Sequence, residues 1–291
     1  MNLRKIAYLR SVIPFINKQS IMKRLFQLVI AAAIICGATV LTSCSNNDNE
    51  PATPNLKVAE KIIGKWIVAD IGGKPVMTND KSVYTFVSAT KAYMSVSINP
   101  RQGEEAVWNE QKELDVAISG NKMTLTNRPD AQTTMVEEFN FTAIDDKEFT
   151  ANHKITVTAG GNVALANEGI IHFTKVTSDF SAAIIGIWQG RCTSEGSVYD
   201  DGQEHQWQFL ADGRYVYYAK DGEGNWMAYN DEVSQYFVDG SLFCSRWGNG
   251  GVYNREWWEI SIANGKMNWT ALRANEDGST FTATFEMTKV N

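Results

Sequence analysis

The sequence predicts an all-β chain, built as two consecutive eight-stranded up-and-down antiparallel barrels. Three observations carry this. The signature Ile-Ile-Gly-x-Trp occurs twice, as Ile62-Ile63-Gly64-Lys65-Trp66 and Ile184-Ile185-Gly186-Ile187-Trp188, 122 residues apart. Both units end alike, on Thr174-Lys175-Val176 and Thr288-Lys289-Val290, so the chain reads as a tandem duplication. Between these marks apolar and polar residues alternate with period two, and no helical stretch is long enough to serve as a parallel crossover.

Ahead of the repeats, residues 1–43 hold six Lys or Arg and no acidic residue. Met22-Lys23-Arg24 introduces an apolar run from Leu25 to Leu41, which reads as a signal peptide over 22–43, with 1–21 a start assigned too far upstream. A signal anchor is the alternative, although spanning a bilayer takes about 20 apolar residues. Leu41-Thr42-Ser43-Cys44 resembles the lipobox of bacterial lipoproteins. The resemblance implies lipidation of Cys44 and, because Ser45 follows, sorting to the outer membrane. Asn46-Asn47-Asp48-Asn49-Glu50 resembles the surface-export spacers of some Gram-negative lineages. Pro51 and Pro54 keep the tether 44–55 extended until the first unit, 56–177, begins; the second occupies 178–291.

Each unit opens on a short apolar stretch, Leu56–Ile63 and Phe180–Ile185, expected to form a helical turn or two that plugs a barrel end. Strands follow where one face is apolar. In the first unit Met94, Val96 and Ile98 alternate with Tyr93, Ser95 and Ser97, and Phe139, Phe141 and Ala143 repeat the pattern. In the second, Met267, Trp269 and Ala271, then Phe281, Ala283, Phe285 and Met287, do the same. Pairs such as Gly120-Asn121, Asp212-Gly213, Asp239-Gly240 and Asn264-Gly265 supply the positive φ of tight hairpins. Closing a meander into a barrel leaves no exposed sheet edge; an open two-sheet sandwich is the alternative.

A short helix, Gly-x-Trp and an eight-stranded meander together resemble the calycin superfamily, in particular the lipocalin-like domains of Gram-negative envelope lipoproteins. The resemblance covers nearly all of 56–291. It implies that the tryptophan closes the barrel base against a basic residue of the last strand, pairing Trp66 with Lys175 and Trp188 with Lys289. Lipocalins more often place arginine there, and their motif around the middle loops is not evident in this chain.

Without residues 1–43 the chain carries 21 basic and 33 acidic residues, a net charge of −12, which makes nucleic acid and anionic lipid headgroups poor partners. The lipid anchor is then the sole membrane attachment expected. Charge is uneven, with 13 basic and 15 acidic groups over 56–177 but 8 and 16 over 178–291. Once Cys36 goes with the signal and Cys44 with the lipid, Cys192 and Cys244 remain, as a disulfide of an oxidising envelope or as two buried thiols.

Aromatic residues concentrate in the second unit, with 19 from Trp188 onward against nine over 56–177. Trp207, Phe209, Trp258 and Trp269 keep strand alternation and read as core. Trp226, Tyr229, Trp247 and Trp257 leave it, and outward or loop aromatics beside carboxylates stack on sugar rings or hold cations. They are the ligand-binding candidates, with ordinary loop packing the alternative.

Catalysis finds little support. His153, His172 and His205 are scattered with no metal-ligand spacing, and Asp200, Asp201 and Glu204 form a loop cluster rather than a pair held across a cleft. Asp221 to Glu232 imitates a calcium loop, but Trp226 stands where its sharp turn demands glycine. No metal and no cofactor is expected. The reading is a lipid-anchored, non-enzymatic envelope protein binding a small hydrophobic molecule or a glycan through the second barrel. The alternative is an interaction module with filled barrels, docking onto an outer-membrane protein partner such as a nutrient-import complex.

Overall fold

A computed structural model describes residues 55–96, 110–229, 231–250, 252–275 and 277–290. The signal peptide, Cys44, the tether before residue 55 and Ile98 lie outside the described residues. The first sheet follows a single helical turn, α1 (Val58–Lys61), and comprises β1 (Gly64–Ile71), β2 (Lys74–Pro75), β3 (Val83–Ser88), β4 (Lys91–Val96), β5 (Glu110–Ser119), β6 (Lys122–Asn127), β7 (Thr133–Ile144), β8 (Glu148–Ala159) and β9 (Asn162–Val176). A 3-10 turn, Thr78–Asp80, stands between β2 and β3. Neighbours in sequence are neighbours in the sheet, and β1 pairs with β9, which closes an eight-stranded antiparallel barrel with the two-residue β2 as an appendage.

The alternation predicted for β7 slips at its end. A bulge between Phe141 and Ala143 turns Ala143 outward and brings Ile144 into the core, because the extra residue shifts the pleat by one. The barrel base is filled by Trp66, Phe139, Phe141, Phe149 and Phe173, with Phe149 and Phe173 stacked at 4.7 Å. Fully burying one such ring contributes about 1.5–3 kcal/mol.

The second sheet comprises β10 (Gly186–Cys192), β11 (His205–Phe209), β12 (Tyr215–Lys220), β13 (Trp226–Tyr229), β14 (Val233–Asp239), β15 (Leu242–Asn249), β16 (Val252–Ala263), β17 (Lys266–Ala274) and β18 (Thr280–Val290). Here Phe180–Ile185 forms turns rather than a helix, with the Ile184 amide donating to the Phe180 carbonyl. β10 pairs with both β11 and β18, the strand order ends on β13 and β14, and the sheet curls until β14 comes against the start of β12. That seam is joined by an isolated bridge between Arg214 and Gln235 and by the Tyr236 amide on the Gly213 carbonyl. The cause is local. The Asp221 carboxylate accepts the Glu223 and Asn225 amides, folding the chain back so that β13 takes the free edge of β12 from Tyr217 to Lys220. β14 can then reach β12 only at its first residues. The calcium-like spacing is thus spent on a hairpin turn.

A third apolar cluster lies outside both barrels and joins them. Ile67, Val83 and Val176 of the first unit meet Phe237, Leu242, Cys244 and Trp257 of the second. Beside it Lys65 Nζ stands 2.5 Å from the Asp239 carboxylate and 3.5 Å from that of Asp179, and Ser95 donates to Asp239. Burial opposes the Lys65 charge, but the bonds and attraction of Asp239 and Asp179 outweigh it and raise the ammonium pKa.

Candidate functional site

The repeated signature has one geometry in both units. Trp66 Nε1 donates to the Ile62 carbonyl and Trp188 Nε1 to that of Ile184, each at 2.6 Å. Sheet register places Lys175 opposite Trp66 and Lys289 opposite Trp188, and each ammonium covers its ring, at 5.0 and 5.3 Å from the centroid. Glycine is required two residues earlier for two reasons. Gly64 and Gly186 hold φ of +125° and +130°, and a Cβ would meet Lys175 Cε at 3.0 Å or Lys289 Cε at 2.8 Å. The lysine stem passes over the glycine to reach the tryptophan.

The interior of the second sheet is occupied by rings. Trp258, Phe209 and Phe243 are each 1% exposed and Trp269 4%, with Phe243 stacked on Trp269 at 4.8 Å and Trp207 tilted against Trp269 at 5.1 Å. A hydrophobic guest at the barrel centre would have to displace this packing. The four candidate aromatics do not converge. Trp226 lies at the far end of β13 beneath Lys220, 5.0 Å from its centroid, and Lys220 is itself paired with Glu204. Tyr229 ends the same strand, 6.1 Å from Tyr217. Trp247, opposite Ser234 in the sheet, packs its half-buried ring on the core. Trp257 faces outward because it packs under the first unit.

Cys192 and Cys244 are free buried thiols. Alternation separates them. Cys192 belongs to the interior cluster beside Ser194, whereas Cys244, next to inward Phe243, points out into the junction between units, where burial pushes its thiol well up.

The open seam forms a groove of about 260 Å³ lined by Leu210, Arg214, Tyr215, Val216, Asp231, Glu232 and Ser234. Its acidic loop is held in place. Asn249 accepts the Glu232 amide at 2.6 Å and donates to Asp231 at 2.7 Å, and the Glu232 carboxylate accepts the Gly250 amide at 2.7 Å. The wall thus presents preset carboxylates, the Arg214 guanidinium paired with Asp212, and Tyr215.

Two further polar networks lie elsewhere, around the carboxylates of Glu137 and Glu256, neither of them a candidate from the sequence. In the first barrel Glu137, 4% exposed, accepts from Tyr84 at 3.3 Å and lies 3.0 Å from His153 Nε2. In the second, Glu256 accepts from Tyr199 at 3.0 Å and from Trp258 Nε1 at 3.2 Å, while Arg273 lies over the Trp258 ring at 4.8 Å. Burial raises the Glu256 pKa against the opposing pull of Arg273 and its hydrogen bonds. Their signal was the register itself: Glu137 precedes Phe139 by two, Glu256 precedes Trp258 by two, and Arg273 follows Ala271 by two. His205 forms a chain with Asp201, at 3.1 Å, and Tyr217, at 2.7 Å, but burial pushes the Tyr217 phenol strongly up, so it holds its proton. Among the described residues no group of three or more His, Cys, Asp or Glu could hold a metal, and no helix is long and apolar enough to cross a membrane.

No protein-family model matches the sequence, and no curated protein matches it. Solved structures with a similar course include a double mutant of transferrin binding protein B from Haemophilus parasuis, at 9% identity and TM-score 0.22, covering 72% of this chain and 52% of that one. A single mutant of the same protein gives 9% identity and TM-score 0.23, with 75% and 62% covered. A protein described as AttH from Nitrosomonas europaea gives 9% and 0.26, with 77% and 91% covered. The chain spans about half the length of the transferrin-binding protein it matches. At these identities and scores the likeness carries no inference about a ligand.

Proposed function

We propose that this chain is a lipid-anchored, non-catalytic binding protein of the Gram-negative outer membrane, made of two lipocalin-like units, and that it takes a glycan at the seam of the second sheet. The observation that supports this is the unclosed seam, with a groove of about 260 Å³ walled by fixed carboxylates and Tyr215. The Glu232 carboxylate, held by the Gly250 amide, and the Asp231 carboxylate, held by the Asn249 side chain, accept from sugar hydroxyls without first being ordered. A polar wall favours a glycan over a fatty ligand, since the apolar interior is already full. Anchoring at Cys44 and display at the surface rest on the sequence alone.

Titration of the soluble chain with neutral glycans and, separately, with fatty acids tests the reading through tryptophan fluorescence. The expected result is a saturable change with a glycan that Glu232→Gln weakens without lowering the melting temperature. Saturation by a fatty acid, with no response to any glycan, would reverse the ligand class. A second reading, an interaction module docking its outer surface on an outer-membrane protein, draws on the filled interiors of both sheets. Silence toward both panels together with stoichiometric recovery of one envelope protein would favour it.

A further inference from the structure

In the second sheet β16 and β17 pair from Ala263–Lys266 as far as Glu259–Thr270 and then part, although β16 runs back to Val252 on β15 and β17 runs on to Ala274 on β18. The two strands therefore form a fork with facing unpaired edges, the kind of edge that proteins cover. It is covered by the first unit. Thr78, 0% exposed, accepts the Leu272 amide at 2.9 Å through its hydroxyl, where the ladder has lost its partner. Asn79 accepts from Arg273 Nη1 at 2.6 Å, and Arg273 Nη2 donates to the Trp257 carbonyl at 2.7 Å. Lys81 pairs with Glu259, at the point where the strands part, at 2.7 Å.

Arg273 extends this contact inward. Its Nε lies 3.3 Å from the Tyr199 hydroxyl, which donates in turn to the half-buried Glu256. A line of hydrogen bonds thus runs from the exposed side chain of Asn79 on one unit to a carboxylate inside the other.

We propose that the fork between β16 and β17 is a recognition surface for a polar turn, occupied in cis by Thr78–Asp80, and that this occupancy holds the inner Glu256–Tyr199–Arg273 end of the second unit shut. The first unit acts as the plug of the second. The fork and the seam involve different strand pairs, so the glycan reading and this one stand or fall separately.

Site-resolved amide exchange on the full chain tests it, comparing the wild type with Thr78→Val, which keeps the shape but deletes the acceptor, and with Asn79→Ala at an exposed residue. The expected result is exchange of the Leu272 amide about tenfold faster or more in Thr78→Val. Asn79→Ala should speed exchange over 252–258 and 271–274, with the β10–β18 and β1–β9 ladders unchanged. Wild-type protection of the fork in both variants would overturn the proposal. So would a loss spread evenly over both units, since that reports general destabilisation.

Discussion

Lys65 joins the two units through a carboxylate that has almost left water, which makes Lys65→Met the most informative single change. The Asp239 side chain is 7% exposed and Lys65 30%, with 2.5 Å between charges. At an effective dielectric of about 20 the attraction is roughly 6–7 kcal/mol before desolvation is subtracted. Removing one member of a buried pair costs about 3–5 kcal/mol, because the other charge stays behind. Two features reduce this: Lys65 is partly solvated, and Ser95 still donates to Asp239. We expect a loss of about 2–3 kcal/mol, a fall in melting temperature of about 5–10 °C for a chain of this size. Adding Asp239→Asn removes the stranded charge and should recover about 1–2 kcal/mol of it. Urea titration followed by tryptophan fluorescence measures all three variants. A single-variant loss below about 0.5 kcal/mol, the scale of an exposed pair, would refute the reasoning, as would a double variant no more stable than Lys65→Met.

Three further outcomes are expected. Gly190→Ala would place a Cβ 1.9 Å from the Glu286 carbonyl oxygen on the paired strand, so backbone must move, and a loss of about 3 kcal/mol or more is expected in denaturant titration. Glu256 has a folded pKa above its ordinary 4.5, so the native state binds the proton more tightly and stability falls as pH rises through the window above 4.5. Glu256→Gln should remove that slope, and the variant should gain on the wild type between pH 4 and pH 7 in parallel melts. Finally, Cys192 and Cys244 should each take one alkylating group after unfolding without reductant and react slowly when folded, whereas failure to label unfolded protein would reveal a bridge.

Much of the fold was legible in the residues. The paired Ile-Ile-Gly-x-Trp marks and matching Thr-Lys-Val ends fix two units and a shared base, because a ring, a stem to cover it and a glycine to let the stem pass must stand at set positions. Period-two alternation identifies inward residues strand by strand, and the same rule would have exposed Glu137, Glu256 and Arg273 as inward polar groups. Tertiary structure decided what alternation cannot see. Whether β12 meets β14 depends on which edge β13 takes first, and no local pattern records a competition between strands for one edge. The outward turn of Trp257 and Cys244 looks, in sequence, like an exposed ring and a spare thiol. Both belong to a junction whose other half lies in the first unit, and burial there is a property of the packed pair of units, which neither segment carries by itself.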